Sequence, residues 1–318
     1  MIVLFADKLS AQAHARLQEA GCTIQSDPSL KEESLVSAIR QTGAQAIVVR
    51  STRIRPDHLD ASDTLKLVVR AGAGTNTIDV QGAFERGIHV ANCPGRNAVA
   101  VAELAMGHIL NADRRIADNV ADLRRGQWKK KVYAKARGLK GRTLGVIGAG
   151  SIGREVIRRA QAFDMNIVAY DPFLTEDAAA QLNIQVASSA VDAASRCDVL
   201  TVHIALTPET RGSIGADIFE ALPEGATFIN TSRGEVVDEA ALALAVRDRG
   251  LRAGLDVYCN EPPTDGEWQS PLAELPGVYG THHIGASTDQ AQDAVAEEVV
   301  RIISTFLQEG RVLNPVTP

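Results

Sequence analysis

A glycine-rich turn near the middle of the chain constrains the fold more than any other feature. Gly148, Gly150 and Gly153 form a Gly-x-Gly-x-x-Gly motif. The predicted strand Thr143–Ile147 precedes the motif, and a helical pattern over Arg154–Ala162 follows it. In this arrangement the first glycine allows a tight turn, the second lets a pyrophosphate approach the backbone, and the third lets helix and strand pack closely. The segment therefore predicts a dinucleotide-binding α/β domain with the phosphates at a helix N-terminus.

The residue after the next strand indicates which dinucleotide is bound. Asp171 follows the predicted strand Ile167–Tyr170 and lies 18 residues beyond Gly153. A carboxylate about 20 residues after the last glycine binds the ribose hydroxyls in such sites, and its charge repels a 2′-phosphate. The alternative is a glycine-rich turn in an unrelated α/β protein, in which Asp171 only opens the turn before Pro172. The strand, the helix and the acid together favour the cofactor interpretation, and they favour NAD over NADP.

The rest of the chain alternates short apolar strands with helical patterns, which is typical of parallel α/β sheets. A first block contains the predicted strands Ile2–Ala6, Thr23–Gln25, Ala46–Arg50, Lys66–Arg70 and His89–Asn92. A second block contains Thr143–Ile147, Ile167–Tyr170, Val199–Ile204, Thr227–Asn230, Gly254–Tyr258 and Val278–His282. A long helix from Asn97 toward Asn119 joins the blocks. We therefore predict two Rossmann-like domains with doubly wound parallel sheets, the first of them flavodoxin-like.

A terminal helix is predicted to return to the first block. Ser287 and Gln290 form a capping box, and the helix behind them has one apolar face, formed by Ala291, Val295, Val299, Ile303 and Phe306. A lone helix must bury that face, so we infer that it packs on the first sheet. The substrate domain is then discontinuous, residues 1–97 with 286–318, and the NAD-binding domain comprises residues 98–285. The two crossings predict a ligand cleft between the domains.

Composition narrows the functional class. The net charge of −6 argues against a nucleic-acid-binding surface. No Cys-x-x-Cys pair occurs among the four cysteines, so we expect neither a metal site nor a disulfide framework, which fits a reducing cytoplasm. No stretch approaches the roughly 18 apolar residues of a membrane span, and the short apolar start lacks the basic region of a signal peptide. We expect a cytoplasmic protein that acts on a small molecule.

Three residues with catalytic chemistry lie just beyond the last three predicted strands of the second block. They are Arg233, Glu261 and His283. Ligands of open parallel sheets bind at this edge. Taken singly, each residue has an ordinary explanation, as a surface arginine, a solvated loop carboxylate or a core histidine. All three at successive strand ends of one sheet predict a catalytic site.

The chemistry of these residues suits the reduction of a 2-keto acid by NADH. A histidine, with an ordinary pKa of about 6.5, can give or take a proton near working pH. Glu261, bonded to one ring nitrogen of His283, would stabilise the protonated ring and fix its orientation. Arg233 stays charged and can hold a carboxylate through two hydrogen bonds. We expect hydride transfer between nicotinamide and the C2 carbon of a small 2-hydroxy acid.

Further segments complete a resemblance to a known family. They are Val49–Thr52, Arg70–Asp79, Asn92–Asn97 and Val101–Leu104. With the glycine motif and the catalytic segments, they make the chain similar to the D-isomer-specific 2-hydroxyacid dehydrogenases, most closely to the 3-phosphoglycerate dehydrogenase branch of serine biosynthesis. The resemblance covers nearly the whole chain. It implies two Rossmann-like domains, the outer one discontinuous, NAD as cofactor, and a homodimer formed through the cofactor domain.

The resemblance also implies roles for single residues. Arg233 would bind the substrate carboxylate and carbonyl, His283 would be the acid and base, and Glu261 would be its partner. The substrate side would be lined by Arg50, Ser51, Gly72, Ala73 and Gly74, together with Arg233 and His283. The positions that match cofactor contacts are Val101, Gly148, Gly150, Ser151, Ile152, Gly153, Asp171, Thr207, Thr231 and Asp256.

Two residues depart from the family pattern. His282 stands where a proline usually precedes the catalytic histidine, and the register of Ile284–Gly285 favours His283 as the active one. Arg96 stands where a small residue or asparagine is common. We also expect no regulatory C-terminal domain of the kind found in some phosphoglycerate dehydrogenases, and therefore no control by serine.

The substrate has alternatives at this point. A phosphorylated 2-keto acid carries a second anion, which Arg50, Arg70, Arg96 and Lys129–Lys131 could hold. If these are ordinary surface cations, glyoxylate or hydroxypyruvate is the alternative substrate. An NAD-sensing corepressor of the same fold would keep the same three residues, but no peptide-docking segment is visible. Formate dehydrogenases carry glutamine in place of Glu261, and L-lactate and malate dehydrogenases have their glycine motif near the N-terminus, so both are disfavoured.

Overall fold

Residues 1–262 and 265–318 are described by the computed structural model. They divide into two units, Met1–Asn97 with Ser287–Pro318, and Ala98–Ala286. Each unit is built on one sheet whose strands pair in parallel. This confirms the predicted fold class of two doubly wound parallel-sheet domains, the first of them discontinuous.

The first unit contains a five-stranded sheet. Its strands are β1 Ile2–Phe5, β2 Thr23–Ser26, β3 Ala46–Val49, β4 Leu67–Arg70 and β5 His89–Asn92. Their order, β2-β1-β3-β4-β5, is that of a flavodoxin-like sheet. The helices between them are α1 Ala11–Glu19, α2 Glu32–Thr42, α3 Pro56–Leu59 and α4 Val80–Glu85. Because side chains alternate along a strand, Val3 and Phe5 pack with α1 whereas Leu4 packs with α2 on the opposite face.

The second unit contains a seven-stranded sheet. Its strands are β6 Thr143–Ile147, β7 Asn166–Tyr170, β8 Gln185–Val186, β9 Val199–Val202, β10 Thr227–Asn230, β11 Arg252–Leu255 and β12 Val278–Gly280. The order β12-β11-β10-β9-β6-β7-β8 is the dinucleotide-binding order with one added edge strand. The helices are α5 Ala98–Arg114, α6 Ile116–Arg124, α7 Lys130–Tyr133, α8 Ser151–Ala162, α9 Glu176–Leu182, α10 Ala190–Ser195, α11 Ala216–Ala221 and α12 Glu239–Arg249.

The long helix predicted from Asn97 toward Asn119 is wrong in its extent. Arg115 takes a left-handed backbone with φ of 53°, which ends α5 and separates it from α6. The Asn111 side chain accepts the backbone N–H of Ala117 at 2.8 Å, so a donor at the start of α6 is satisfied without a continuous helix. No helix within the described ranges is both long enough and apolar enough to cross a bilayer.

The terminal helix, α13 Asp289–Glu309, belongs to the first unit. Its buried Val299 and Ile303 pack in the same cluster as Val3 and Phe5 of β1, as the apolar face predicted. The predicted capping box is displaced by one residue. Thr288, not Ser287, is the N-cap, because Thr288 has the extended backbone that a cap requires and its hydroxyl accepts the Ala291 N–H at 3.2 Å.

Candidate active site

The glycine motif forms a tight turn between β6 and α8. A Cβ on Gly148, whose φ is +93°, would lie 2.6 Å from the carbonyl oxygen of His203 at the end of β9. A Cβ on Gly153 would lie 2.1 Å from the carbonyl oxygen of Gly148, so helix and turn pack as closely as the motif predicts. Gly150 has no atom within 4 Å of its Cβ position and is the N-cap of α8. The turn thus leaves open space at the helix N-terminus, where a pyrophosphate fits.

Two further observations fit a bound dinucleotide. One oxygen of the Asp171 carboxylate accepts the Ala149 N–H and the other accepts the Phe173 N–H, each at 2.8 Å. Each oxygen keeps capacity for a second bond, such as one from a ribose hydroxyl. The Thr231 hydroxyl at the end of β10 is buried without a hydrogen-bond partner in the described part of the chain. Buried polar groups without a partner are uncommon, and a ligand bound at this edge could form the missing hydrogen bond with Thr231.

The turn after β10 presents Arg233. Asn230 accepts the N–H and the hydroxyl of Ser232 at 2.9 and 2.7 Å, and its amide donates to the carbonyl oxygen of Arg233 at 2.8 Å. A Cβ on Gly234 would lie 2.1 Å from the backbone of Tyr258, so this turn packs directly on the end of β11. Asn230 therefore fixes the path of the turn, and Gly234 lets Arg233 approach the segment that carries Glu261.

His283 and Glu261 are hydrogen-bonded. The His283 Nδ1 lies 2.6 Å from one Glu261 carboxylate oxygen, and the other oxygen accepts the Tyr258 N–H at 2.9 Å. Burial raises the pKa of Glu261, but the bonds from His283 and Tyr258 and the charge of Arg233 outweigh it and leave this pKa below its ordinary value. Glu261 is therefore ionised near neutral pH, and Nε2 of His283 is the ring nitrogen left for a ligand. Among the described residues this carboxylate bonds His283 and not His282.

Asp256 holds the loop that carries His283. Its carboxylate accepts the N–H groups of Ile284 and Gly285, both at 2.8 Å, and its carbonyl oxygen accepts the His283 N–H at 2.8 Å. These bonds hold His283 in a left-handed backbone with φ of 52°, which histidine adopts at a cost. The sequence indicated only a cofactor contact for Asp256 and missed this role. The position of Asp256 just after β11, next to the loop that follows β12, is the sequence signal that could have indicated this role.

The predicted substrate residues Arg50 and Ser51 lie in the loop after β3 of the first unit. The Asp7 carboxylate accepts the N–H groups of Arg50, Ser51 and Thr52 at 2.7, 3.1 and 3.0 Å, and the Ser51 hydroxyl at 3.0 Å. Burial raises the pKa of Asp7, but these hydrogen bonds lower it below its ordinary value. The Arg50 guanidinium makes no bond or ion pair with the described residues. Sequence reasoning missed Asp7, although β1 and β3 are neighbours whose carboxyl ends share one edge.

The second predicted substrate loop contains Gly72, Ala73 and Gly74. The Arg70 side chain lies over Gly72, where a Cβ would come within 1.3 Å of its Nη1, so a larger residue would displace this guanidinium and would also have to adopt the φ of +155° that glycine takes here. The Asn92 side chain donates to the carbonyl oxygen of Ala73 at 2.6 Å. As in the loop after β3, the main chain is anchored by a side chain from a neighbouring strand.

Two of the predicted phosphate-binding cations are engaged by acids. Arg96 forms an ion pair of 2.6 Å with Glu298 of α13, whose side chain is 2% exposed. Lys129 lies 3.1 Å from Asp122. Both charges are thereby offset within their own units, whereas no acid offsets the Arg50 guanidinium among the described residues.

The chain is similar in sequence to one family of dehydrogenases and to several of its named members. Residues 106–285 match the family model described as D-isomer specific 2-hydroxyacid dehydrogenase, NAD binding domain. The chain is 39% identical to the D-3-phosphoglycerate dehydrogenase of Methanocaldococcus jannaschii over 99% of its own length, but it spans only 60% of that relative's length. It is 42% identical to the hydroxypyruvate reductase of Thermotoga maritima over 86% of this chain and 88% of that one.

A solved structure shows the same fold. The NAD+-bound 3-phosphoglycerate dehydrogenase of Entamoeba histolytica superposes with a TM-score of 0.83 at 28% identity. The match covers 100% of this chain and 99% of that one. The likeness therefore extends over both units and not only over the segment that the family model matches.

Proposed function

This chain belongs to the family of D-isomer specific 2-hydroxyacid dehydrogenases, and we propose that it is an NAD-dependent oxidoreductase that interconverts a small D-2-hydroxy acid and its 2-keto acid. The observation that carries the proposal is the 2.6 Å bond between His283 and Glu261. It lies at the carboxyl edge of the sheet that carries the glycine motif, in the same unit as Arg233. These are the groups that proton transfer and carboxylate binding require.

In the reduction, NADH bound at the glycine turn would supply the hydride that C2 of the keto acid receives. The protonated His283 donates its Nε2 proton to the carbonyl oxygen as that oxygen gains negative charge. The ionised Glu261 stabilises the protonated ring and holds it by Nδ1. Arg233 binds the substrate carboxylate and fixes the carbonyl between the two reacting groups. In the oxidation, neutral His283 takes the hydroxyl proton at the same atom.

We propose 3-phosphohydroxypyruvate, the 2-keto form of 3-phosphoglycerate, as the substrate, which would place the chain in serine biosynthesis. Support comes from the relatives named D-3-phosphoglycerate dehydrogenase. The Arg50 guanidinium, without a bond to the described residues, supplies a cation for the phosphate.

Unphosphorylated hydroxypyruvate is the second candidate. It is favoured by the Thermotoga maritima reductase, which this chain matches over 88% of that protein's length. The engagement of Arg96 and Lys129 by acids also reduces the cations available for a phosphate.

The test is a set of steady-state measurements with 3-phosphohydroxypyruvate, hydroxypyruvate and glyoxylate, each with NADH and NADPH. We expect the highest kcat/KM with the phosphorylated keto acid and NADH. A preference for hydroxypyruvate would select the second candidate. Equal efficiency with NADPH would contradict the role of Asp171, and no turnover with any keto acid would contradict the proposed activity.

We also propose a cytoplasmic homodimer formed through the surface of α6 and the segment after it. The four cysteines are free, which agrees with the reducing cytoplasm.

The dimer surface is argued from exposed apolar side chains. On α6 and the segment after it, Ile116 is 48% exposed, Leu123 is 51% exposed and Trp128 is 81% exposed. Contiguous exposed apolar groups mark interaction sites. Sedimentation of the wild type and of Leu123→Glu tests the dimer; a monomeric wild type would contradict it.

A further inference from the structure

Helix α5 supports the active-site loop from behind. Val101 and His108 are two turns apart on this helix and therefore share one face. A Cβ on Gly285 would lie 3.4 Å from a Val101 methyl group, and a Cβ on Gly254 of β11 would lie 2.6 Å from the Cβ of His108. One face of α5 thus contacts both the loop that carries His283 and the strand that leads to Asp256.

A chain of hydrogen bonds runs from His108 to Asp256. The His108 Nε2 lies 3.1 Å from the Thr281 hydroxyl, which donates to an Asp256 carboxylate oxygen at 2.6 Å. A hydroxyl has one hydrogen, and the carboxylate can only accept. His108 must therefore donate to Thr281 through an Nε2–H.

The environment of His108 agrees with this tautomer. Burial lowers the pKa of His108, although the charge of Asp256 opposes the effect, and the side chain is buried. The ring is then neutral near pH 7 and carries a single N–H, which the hydrogen bonds assign to Nε2. The direction of both hydrogen bonds follows: His108 donates to Thr281, and Thr281 donates to Asp256.

Asp256 also bonds the loop on the other side of this chain. The oxygen that Thr281 bonds also accepts the Ile284 N–H, and the second oxygen accepts the Gly285 N–H. These bonds hold His283 in its left-handed conformation. Without the Thr281 bond, the Asp256 carboxylate could rotate, and its hydrogen bonds to the loop would be lost.

We propose that His108 is a positioning residue that acts through Thr281 and Asp256 to hold His283 in its productive place. The inference rests on the proposed function for the role of His283, but not on which keto acid is the substrate. The proposal differs from an ordinary packing role for His108. A residue that only fills the core would need the volume of the ring, whereas a positioning residue also needs its N–H.

The experiment compares His108→Leu, which removes the donor, with His108→Gln, which retains an N–H at a similar reach. We expect His108→Leu to lower kcat about ten-fold, since a small misplacement of a catalytic group is costly, and to change KM for NADH little. Hydrogen–deuterium exchange of the segment 281–285 should become about ten-fold faster. His108→Gln should restore both readouts to within about two-fold of the wild type.

Two further variants keep the test decisive. Thr281→Val removes the hydroxyl that links His108 to Asp256, so it should lower kcat and speed exchange as His108→Leu does. It tests the proposal even if His108→Leu folds poorly. His58→Leu removes a buried histidine of the first unit and should change neither readout. Equal losses in the Leu and Gln variants, or unchanged exchange in His108→Leu, would overturn the proposal. A wild type without turnover would contradict the proposed function, whereas the exchange measurement would still test the positioning.

Discussion

The two units hold their charged candidate site residues differently. Both anchor loops through the main chain, but in the second unit a side chain also holds the reactive side chain: Glu261 bonds the ring of His283 at 2.6 Å. In the first unit, Asp7 accepts three consecutive N–H groups, and Asn92 donates to the carbonyl oxygen of Ala73, but neither bonds the Arg50 guanidinium. A bond between side chains fixes the direction of a reacting group. A bond to the main chain fixes only the path of a loop and leaves its side chains to a ligand.

We propose that this difference separates chemistry from substrate selectivity. A bond between two side chains is lost when either residue changes, so the catalytic pair tolerates little substitution. A loop anchored through its N–H groups keeps its path when an outward side chain such as Arg50 changes. We therefore expect substitutions of His283 or Glu261 to affect turnover with every substrate, and substitutions at Arg50 to affect the choice of substrate. The predictions below test this contrast from the largest expected effect to the smallest.

Loss of the catalytic imidazole should have the largest effect. His283→Ala should lower kcat by about 10²- to 10⁴-fold, because a positioned general acid contributes that much. The Kd for NADH, measured by fluorescence, should change little. His282→Ala is the matched control and should retain most activity, since the Glu261 bond belongs to His283. A larger loss in His282→Ala than in His283→Ala would reverse the assignment.

Glu261→Gln should change the pH dependence of reduction. The bonds from His283 and Tyr258 help to lower the pKa of Glu261, so the carboxylate stays ionised until the pH falls through that lowered value. Wild-type kcat/KM should therefore decline in acid as Glu261 takes up a proton, and this decline should be absent from the Gln variant, whose amide does not titrate in this range. An unshifted pH profile would show that Glu261 does not act through His283.

Arg50→Ala should act on substrate binding alone. Loss of a cation that contacts the phosphate equally in ground and transition states raises KM and leaves kcat unchanged. We expect KM for 3-phosphohydroxypyruvate to rise about ten-fold or more, with no comparable change for glyoxylate. Arg53→Ala, at an exposed neighbouring position, is the control. An equal rise for both keto acids would mean that Arg50 does not bind the phosphate.

Asp7→Asn should have the smallest effect and should appear in stability. The folded protein lowers the pKa of Asp7, so this carboxylate stabilises the fold above its ordinary pKa, and the contribution is lost as pH falls through the lowered value. The variant should lose about 1 kcal/mol at neutral pH and show a smaller difference from the wild type in acid. Urea unfolding at both pH values measures this. A constant difference would contradict the assigned ionisation.

The sequence predicted the parts of the site that depend on local order along the chain. The glycine turn and the strand-end positions of Arg233, Glu261 and His283 follow from strands and their sequence neighbours. Contacts between distant segments could not be predicted in this way. The pair Arg96 and Glu298 is separated by 202 residues, and nothing local to either residue marks the other.

Other features were hidden by ordinary residue types. His108 fits the apolar period of α5, so its hydrogen bond to Thr281 has no sequence signature. The break at Arg115 was missed because a left-handed residue is expected to be glycine or asparagine, not arginine. Ser287 and Thr288 both carry a capping hydroxyl, and only the backbone conformation decides which of them caps α13.

The most direct test of the central claim is the ratio of kcat/KM for 3-phosphohydroxypyruvate to that for hydroxypyruvate, measured in the wild type, Arg50→Ala and His283→Ala. If the second unit supplies the chemistry and the first selects the substrate, His283→Ala should lower both values and preserve their ratio. Arg50→Ala should reduce the ratio about ten-fold while kcat stays near the wild-type value. A ratio changed by His283→Ala but unchanged by Arg50→Ala would contradict the account.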